Sequence, residues 1–415
     1  MEKVYDNCCG IDVHKKILVC CFICGKEQKI KEFGTTTSEL LELVDWLSEG
    51  GCQMVAMEST ASYWKPVYNI LEANDLKAIV VNAKHMKNVP GRKTDKQDAE
   101  WIAELLQHGL LQPSYIPSKD QRELRELVSY RKSLVQEKNR ELNRLQKVLE
   151  GANIKLGNVV SDINSLSSRN LLHDLVTGHK ITRAHVDRMK TEKRITYQLK
   201  ASSEELVEAC KGYLSPLQKK MIREILSHID ELTQHIKNLD DDIDNHMNDD
   251  EQKAVEAIRS VTGIGADSAK AIISVIGTDM ERFPSDAHIS SWAGLCPGNN
   301  ESAGKRRSGK TRKGNKLLRT TLIVCAHSAV KVRSSYFYAQ YKRIAGHRGS
   351  KKAYVAIAHS MLIAIYHVLK DGVKFQDLGS SYYNQFNRER KINSYLTKLK
   401  ALGWQEPCAT VVATA

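Results

Sequence analysis

Four acids stand where chemistry can be done. Asp12 lies in a run where Cys9, Ile11 and Val13 alternate with Gly10, Asp12 and His14. That alternation predicts a β-strand with Asp12 on the face opposite Ile11 and Val13. Glu58 closes the apolar run from Met54 to Met57, a further predicted strand. Asp95 and Asp98 stand three apart in Gly91-Arg-Lys-Thr-Asp-Lys-Gln-Asp-Ala-Glu100, a spacing that puts both on one helix face. Carboxylates converging from three elements repel one another unless cations lie between them. Mg²⁺ prefers hard oxygen ligands and accepts carboxylates together with phosphate oxygens. Two such ions roughly 3.5–4 Å apart clamp a phosphodiester and activate the attacking oxygen. Taken singly, each acid reads as an ordinary exposed residue; the set of four, in this order and on this strand pattern, points to metal chemistry.

A second candidate lies in Cys296-Pro-Gly-Asn-Asn-Glu-Ser-Ala-Gly-Lys-Arg-Arg-Ser-Gly-Lys310, which Pro297, Gly298, Gly304 and Gly309 mark as turn and loop. Ser302 precedes Lys305, Arg306 and Arg307. A serine attacking a phosphodiester must lose its proton, and the growing negative charge must be stabilised; the three cations can do the second. The alternative reading of Ser302 is a hydroxyl that contacts phosphate in a basic loop. Lys310, Arg312, Lys313, Lys316 and Arg319 continue the positive charge as candidate nucleic-acid contacts.

The charge distribution supports that partner class. The 415-residue chain is 41% hydrophobic and 27% charged, the profile of a folded protein of more than one domain. Its net charge of +13 argues for a polyanion partner and against an acidic-surface metabolic enzyme. Glu301 to Lys352 hold 15 Lys/Arg and one acid, so the remainder has a net charge of −1. One segment carries the whole excess.

The elements that must position these residues fall into four regions. In residues 1–118, predicted strands at Ile17–Cys24 and Lys29–Phe33 flank a turn at Gly25-Lys26, and further strands cover Gln53–Glu58 and Lys77–Asn82. Predicted helices cover Ser38–Ser48, Trp64–Ala73 and Asp95–His108. Three early antiparallel strands followed by alternating helices and strands resemble an RNase H-like α/β domain. Residues 119–250 read as helical. Ser215-Pro216 starts a helix in which Ile222, Ile225, Ile229, Leu232, Ile236, Leu239 and Ile243 form a heptad seam. That seam serves either an antiparallel helix pair within the chain or a coiled coil between subunits, the second being preferred for so long and thin a helix. The acidic run Asp240–Asp250 is expected as its solvated end.

Residues 251–375 form a third, mostly helical region. Val261 to Lys270 resembles a helix-hairpin-helix, with the backbone at Gly263 and Gly265 facing a phosphate, or is a tight helix–helix turn. Tyr336, Tyr338 and Tyr341, near Arg333 and His327, read as a basic helix with aromatic residues for packing or stacking. The stretch Tyr354–Leu369 reads as a buried helix. In the tail, 376–415, no motif is legible, and its last eight residues are expected to be disordered. The ten cysteines include no second pair at zinc-ligand spacing, so buried reduced thiols are expected. The opening residues lack the apolar core of a signal peptide, and no membrane association is expected; a cytoplasmic location is the default.

Gly10-Ile-Asp-Val-His-Lys15, Met57-Glu-Ser-Thr60 and Lys93-Thr-Asp-Lys-Gln-Asp-Ala99 resemble the opening half of the DEDD transposases of the insertion sequence 110 type, including its 1111 subgroup. Gly263-Ile-Gly, Trp292-Ala-Gly-Leu, Pro297 to Ser302 and Lys313-Gly-Asn-Lys-Leu-Leu-Arg319 resemble the family's second signature region. The resemblance runs from about residue 8 to about residue 370. It implies an N-terminal RuvC-like domain, a coiled-coil segment and a C-terminal transposase domain. It also implies a Mg²⁺-binding tetrad at Asp12, Glu58, Asp95 and Asp98, and a catalytic serine at Ser302 that links covalently to DNA. The implied partners are donor and target DNA, a noncoding guide RNA that pairs with both, and further copies of the chain. In the implied oligomer the RuvC-like part of one subunit meets the serine domain of another. One departure is visible: the family's Gly-Gly-Lys after the serine is Ala303-Gly304-Lys305 here, and Ala adopts φ > 0 less freely than Gly. The competing readings are a metal-dependent junction-resolving endonuclease without serine chemistry and a non-catalytic nucleic-acid scaffold.

Overall fold

The computed structural model describes residues 3–82, 95–298, 300–302, 305–309, 311, 313–385 and 388–404. They belong to two units, Met1–Ser118 and Lys119–Ala415.

In the first unit, strands β1 (Asn7–Val13), β2 (Ile17–Cys24) and β3 (Glu27–Gly34) form an antiparallel meander. Strands β4 (Met54–Glu58) and β5 (Ala78–Val81) add in parallel on the other side of β1, and β6 (Pro113–Ser114) closes that edge. The order β3-β2-β1-β4-β5-β6 is a mixed sheet that fits an RNase H-like domain. Helices α1 (Thr37–Glu49) and α2 (Trp64–Ala73) cover one face, packing Leu43, Leu47 and Leu71 on Ile11, Val13 and Met57. Helix α3 (Asp95–Gln107) covers the other, packing Ala99, Ile102 and Ala103 on Cys8, Cys21 and Ala56. Cover on both faces explains why β2 reads as an unbroken apolar run, Ile-Leu-Val-Cys-Cys-Phe-Ile-Cys. Burial pushes the Cys8, Cys21 and Cys52 thiols up to about 12, so they stay neutral, and the described cysteines are free thiols.

The second unit is built on two long helices, α4 (Lys119–Gly151) and, after α5 (Leu156–Val159), α6 (Leu166–Thr177), α7 (Arg183–Thr191) and α8 (Ser203–Ala209), α9 (Pro216–His246). They run antiparallel. His246 reaches the Asp120 carbonyl at one end, Arg131 pairs with Asp240, and Leu149 shares a core with Ile222 at the other end. The 33 residues of α4 extend about 50 Å. The seam expected to join subunits packs inside the chain: Ile222, Ile229, Leu232 and Ile243 are buried, as are Leu124, Leu134, Leu145 and Leu149 of α4. A 3–4 spacing suits both arrangements, and α4 supplies the partner.

The acidic end is largely solvated, as expected: Asp241, Asp242, Asp244, Asp249 and Asp250 are exposed, although some of its carboxylates are also engaged within the chain. Asp240 accepts from Arg131, Asp244 pairs with Lys270, and Asp249, Asp250 and Glu251 occupy the first turn of α10 (Asp249–Ile258), where carboxylates are favoured by the helix dipole.

The inserted helices α5–α8 form a lobe at the far end of the pair, around Leu156, Leu171, Leu172, Val186 and Leu206. Asp174 is buried there. Burial alone would raise its carboxyl, but hydrogen bonds from Arg194, His185 and His173 outweigh this and bring it from 3.8 to about 2. A folded-state value below the unfolded one stabilises fully above about pH 4, and this is lost as pH falls toward 2. Acid titration followed by circular dichroism should therefore show a transition in that window that Asp174→Asn removes.

The remaining helices are α11 (Ala266–Ile276), α12 (Asp286–Trp292), α13 (Lys316–Ala329), α14 (Tyr336–Arg348), α15 (Ser350–Asp371), α16 (Tyr382–Gln385) and α17 (Arg388–Ala401), with the short strands β7 (Asn300–Ser302) and β8 (Lys305–Ser308). Their core takes in Leu124 and Val128 of α4 and Ile243 of α9. Residues 119–250 and 251–375 thus share part of one core. Helix α15 is long and apolar enough to cross a membrane, yet Ala353, Ile357, Ala358, Met361, Leu362 and Ile365 are buried within the chain, as expected of a core helix. The tail is tied down by Asp377, which accepts from the Thr262 hydroxyl at 2.8 Å and the Tyr336 amide at 2.7 Å. The expectation for the last eight residues lies outside the described residues.

Candidate active site and nucleic-acid surface

Strand parity and register bring two of the acids together. Cys8 and, by alternation, Gly10 and Asp12 face α3, whereas Cys9, Ile11 and Val13 face α1 and α2. The parallel pairing of β1 with β4 runs Gly10↔Ala56 and Ile11↔Met57, so Asp12 comes beside Glu58 on the next step. Neighbouring strands lie about 4.8 Å apart, and Glu58 shares the parity of Ala56. Asp12 is 6% exposed and its carboxylate lies 3.0 Å from His14 Nε2. Glu58 is half-buried at the end of β4. Three residues on, Ala61 takes φ 47, a left-handed conformation uncommon for an L residue.

Helix α3 is aimed at the same place. Its last residue, Gln107, accepts from the Val4 amide at 2.8 Å, and the Ala103 carbonyl lies 3.7 Å from Cys8 Sγ. Over Gly10 the helix comes so close that a Cβ there would lie 2.4 Å from both Ala103 N and Ala99 O. The helix therefore runs antiparallel to β1. Ala99 back to Asp95 is a rise of about 6 Å, and Gly10 to Asp12 an advance of about 6.6 Å. The first turn of α3 thus reaches the level of Asp12. Asp98 is half-buried in that turn, and Asp95 opens the helix. Gly10 was not singled out in the sequence, since nothing there shows what crosses it.

An all-carboxylate donor set suits a hard divalent cation rather than zinc. Among the described residues no three His, Cys, Asp or Glu stand close enough to hold a metal ion; the side chain of Asp95 lies outside them.

The basic segment is not the loop the sequence suggested. Strands β7 and β8 pair as an antiparallel ribbon, with Ser302↔Lys305, Glu301↔Arg306 and Asn300↔Ser308, and Pro297 bridges Thr311. Ser302 closes β7, and Lys305, Arg306 and Arg307 follow on β8. The ribbon escaped sequence reading because it carries charge and glycine instead of apolar alternation. Ala303, Gly304, Lys310 and Arg312 lie outside the described residues. At the ribbon's foot, a Cβ on Gly314 would meet the Ala293 carbonyl oxygen at 2.4 Å, and Arg319, half-buried, donates to the Gly294 carbonyl at 3.2 Å. Arg319 thus helps seat this segment, while Lys313 and Lys316 are exposed.

The two glycines of the Val261–Lys270 turn play different parts. Gly263, at φ 92, packs on the Ala329 backbone, where a Cβ would lie 2.6 Å from its nitrogen. Gly265 is the N-cap of α11 and has open space beside it. Only Gly265 is placed as an open phosphate-facing position would require.

Comparison with known proteins shows the family. A family model described as a transposase, of the DEDD IS110 type, matches residues 9–154, and a second, described as transposase IS116/IS110/IS902 family, matches residues 255–342. A search of curated proteins returned no match. The first model spans the sheet with Asp12, Glu58 and α3, and the second spans the basic ribbon and the turn at Gly263. The chain belongs to the IS110 family of transposases, enzymes that act on DNA.

Proposed function

We propose that the chain is the transposase of an insertion sequence, cutting and rejoining DNA with a Mg²⁺-binding carboxylate set and a nucleophilic serine. The observation that carries this is the strand register that brings Asp12 beside Glu58 on the sheet face that α3 covers. Asp12, Glu58, Asp95 and Asp98 would hold the divalent cation, and the first unit is then RuvC-like. When bound, the cation polarises the scissile phosphate and lowers the pKa of the attacking hydroxyl.

Ser302 supplies that hydroxyl. Its Oγ–P bond forms as one backbone P–O bond breaks, which frees a strand end as a hydroxyl and keeps the phosphoester available for rejoining. Lys305, Arg306 and Arg307 stabilise the charge that develops on phosphorus. Confinement of the excess charge to Glu301–Lys352 suits backbone contacts that read no sequence. Sequence choice is then left to a noncoding guide RNA, as in other RNA-guided systems. The oligomer implied by the family resemblance, in which the carboxylates of one subunit serve Ser302 of another, belongs to the same proposal.

The experiment compares Ser302→Ala with the parent chain on donor and target DNA, with and without RNase treatment. Loss of strand cleavage in the variant and in the RNase-treated protein is expected. Full cleavage by Ser302→Ala would favour a metal-dependent nuclease. Full sequence-specific activity after RNase treatment would remove the guide.

A further inference from the structure

Helix α13 carries a stripe that the catalytic proposal does not use. Lys316, Thr320, Val324, His327 and, just past its end, Lys331 follow at steps of four, four, three and four, so they lie along one side. Lys316, His327 and Lys331 are exposed, and Val324 is 61% exposed. Midway, the His327 ring stacks on Tyr354 of α15, with centroids 3.6 Å apart at 23°. Tyr354 meets Tyr341 of α14 at 4.8 Å. At the other end, Lys132 of α4 donates to the Thr320 hydroxyl at 2.7 Å and stands near enough to Lys316 for the two charges to be felt. Among the described residues, Lys316, Lys331, Lys342, Arg343, Lys351 and Lys352 form no ion pair with a carboxylate.

A row of cations beside a half-exposed aromatic stack is the composition of a single-strand binding surface; the acids nearest Lys132 and Val324, Asp240 and Asp267, are paired with Arg131. The two tyrosines also pack against the core, but His327 is exposed. A ring left in water adds little burial, while its aromatic face suits a base. We propose that this stripe is a track for unpaired nucleotides. The His327–Tyr354 stack receives a nucleobase, and Lys132, Lys316 and Lys331 contact flanking phosphates. The stripe extends about 22 Å, enough for several nucleotides. The proposal depends on neither Ser302 nor the carboxylates, so it stands or falls separately from the catalytic reading.

The test measures binding of the full-length protein to fluorescein-labelled oligothymidylate, oligouridylate and a duplex of the same length, at one fixed salt concentration. His327→Ala is expected to weaken single-strand binding by about 5- to 100-fold, with duplex binding and the unfolding midpoint unchanged. His327→Phe, which keeps a ring, should retain affinity. Lys331→Gln should reduce the salt slope by about 0.7. Tighter binding of oligouridylate would make an RNA strand the occupant, and tighter binding of oligothymidylate a DNA strand; equal affinity would admit both. Unchanged single-strand binding in His327→Ala, or an equal loss on the duplex, would overturn the proposal.

Discussion

Asp12→Asn is expected to lower DNA strand cleavage by roughly a thousandfold or more while leaving the chain folded. The substitution keeps the shape of a side chain that is 6% exposed and removes only its charge. A bound cation contributes several kcal/mol of transition-state stabilisation, and each 1.36 kcal/mol is about a factor of ten in rate. The measurement is single-turnover cleavage across a Mg²⁺ titration, beside an unfolding curve. Raising Mg²⁺ should not restore the variant, because the lost contact belongs to the protein. Normal cleavage by a folded Asp12→Asn chain would mean that this carboxylate does not hold the metal.

The second large effect is expected at a residue with no chemistry of its own. In Gly10→Ala the new methyl would lie 2.4 Å from Ala103 N and Ala99 O, both backbone atoms of α3 that cannot turn aside as a flexible side chain would. The helix must shift off the sheet. Overpacking of this kind costs about 1–3 kcal/mol, an unfolding midpoint lower by roughly 5–20 °C in the first unit. Cleavage should fall further than stability does. The same displacement moves the first turn of α3, with Asp98, away from Asp12 and Glu58, and positional errors near 1 Å cost rate steeply. Activity measured well below the midpoint separates the two effects. Wild-type cleavage at that temperature would show that the position of α3 does not matter to the site.

These two residues also show how far the sequence could be read. Most strands and helices of the first unit were legible because they alternate or run apolar, and Asp12 could be assigned a face from its neighbours alone; the two-residue β6, Pro-Ser, carries no such pattern and was not legible. What brings Asp12 beside Glu58 was not legible. It depends on β1 pairing with β4 in one register, Ile11 against Met57, and periodicity does not encode pairing. Gly10 looked like one polar-face residue among others until α3 was seen to cross it. In the second unit, the seam from Ile222 to Ile243 was legible as a seam but not as an intrachain one, since its partner residues on α4 are spaced in the same way. The ribbon holding Ser302 was missed because Lys, Arg, Ser and Gly leave no strand signature, and its ladder is a property of the backbone. The acidic run near Asp240 was legible as a solvated end, but its ion pairs were not, because the cations that meet it, Arg131 and Lys270, come from distant parts of the chain.

The catalytic proposal meets its most direct test in a trapped intermediate. A DNA substrate nicked beside the cleavage point lets the released strand diffuse away, so a serine ester, once formed, cannot be reversed. The parent chain, incubated with this substrate, its copurified RNA and Mg²⁺, would be digested and the nucleotide-bearing peptide sequenced by mass spectrometry. The expected result is a phosphodiester on Ser302, absent from both Ser302→Ala and Asp12→Asn. Cleaved DNA with no protein attached, or an adduct on any other residue, would contradict it.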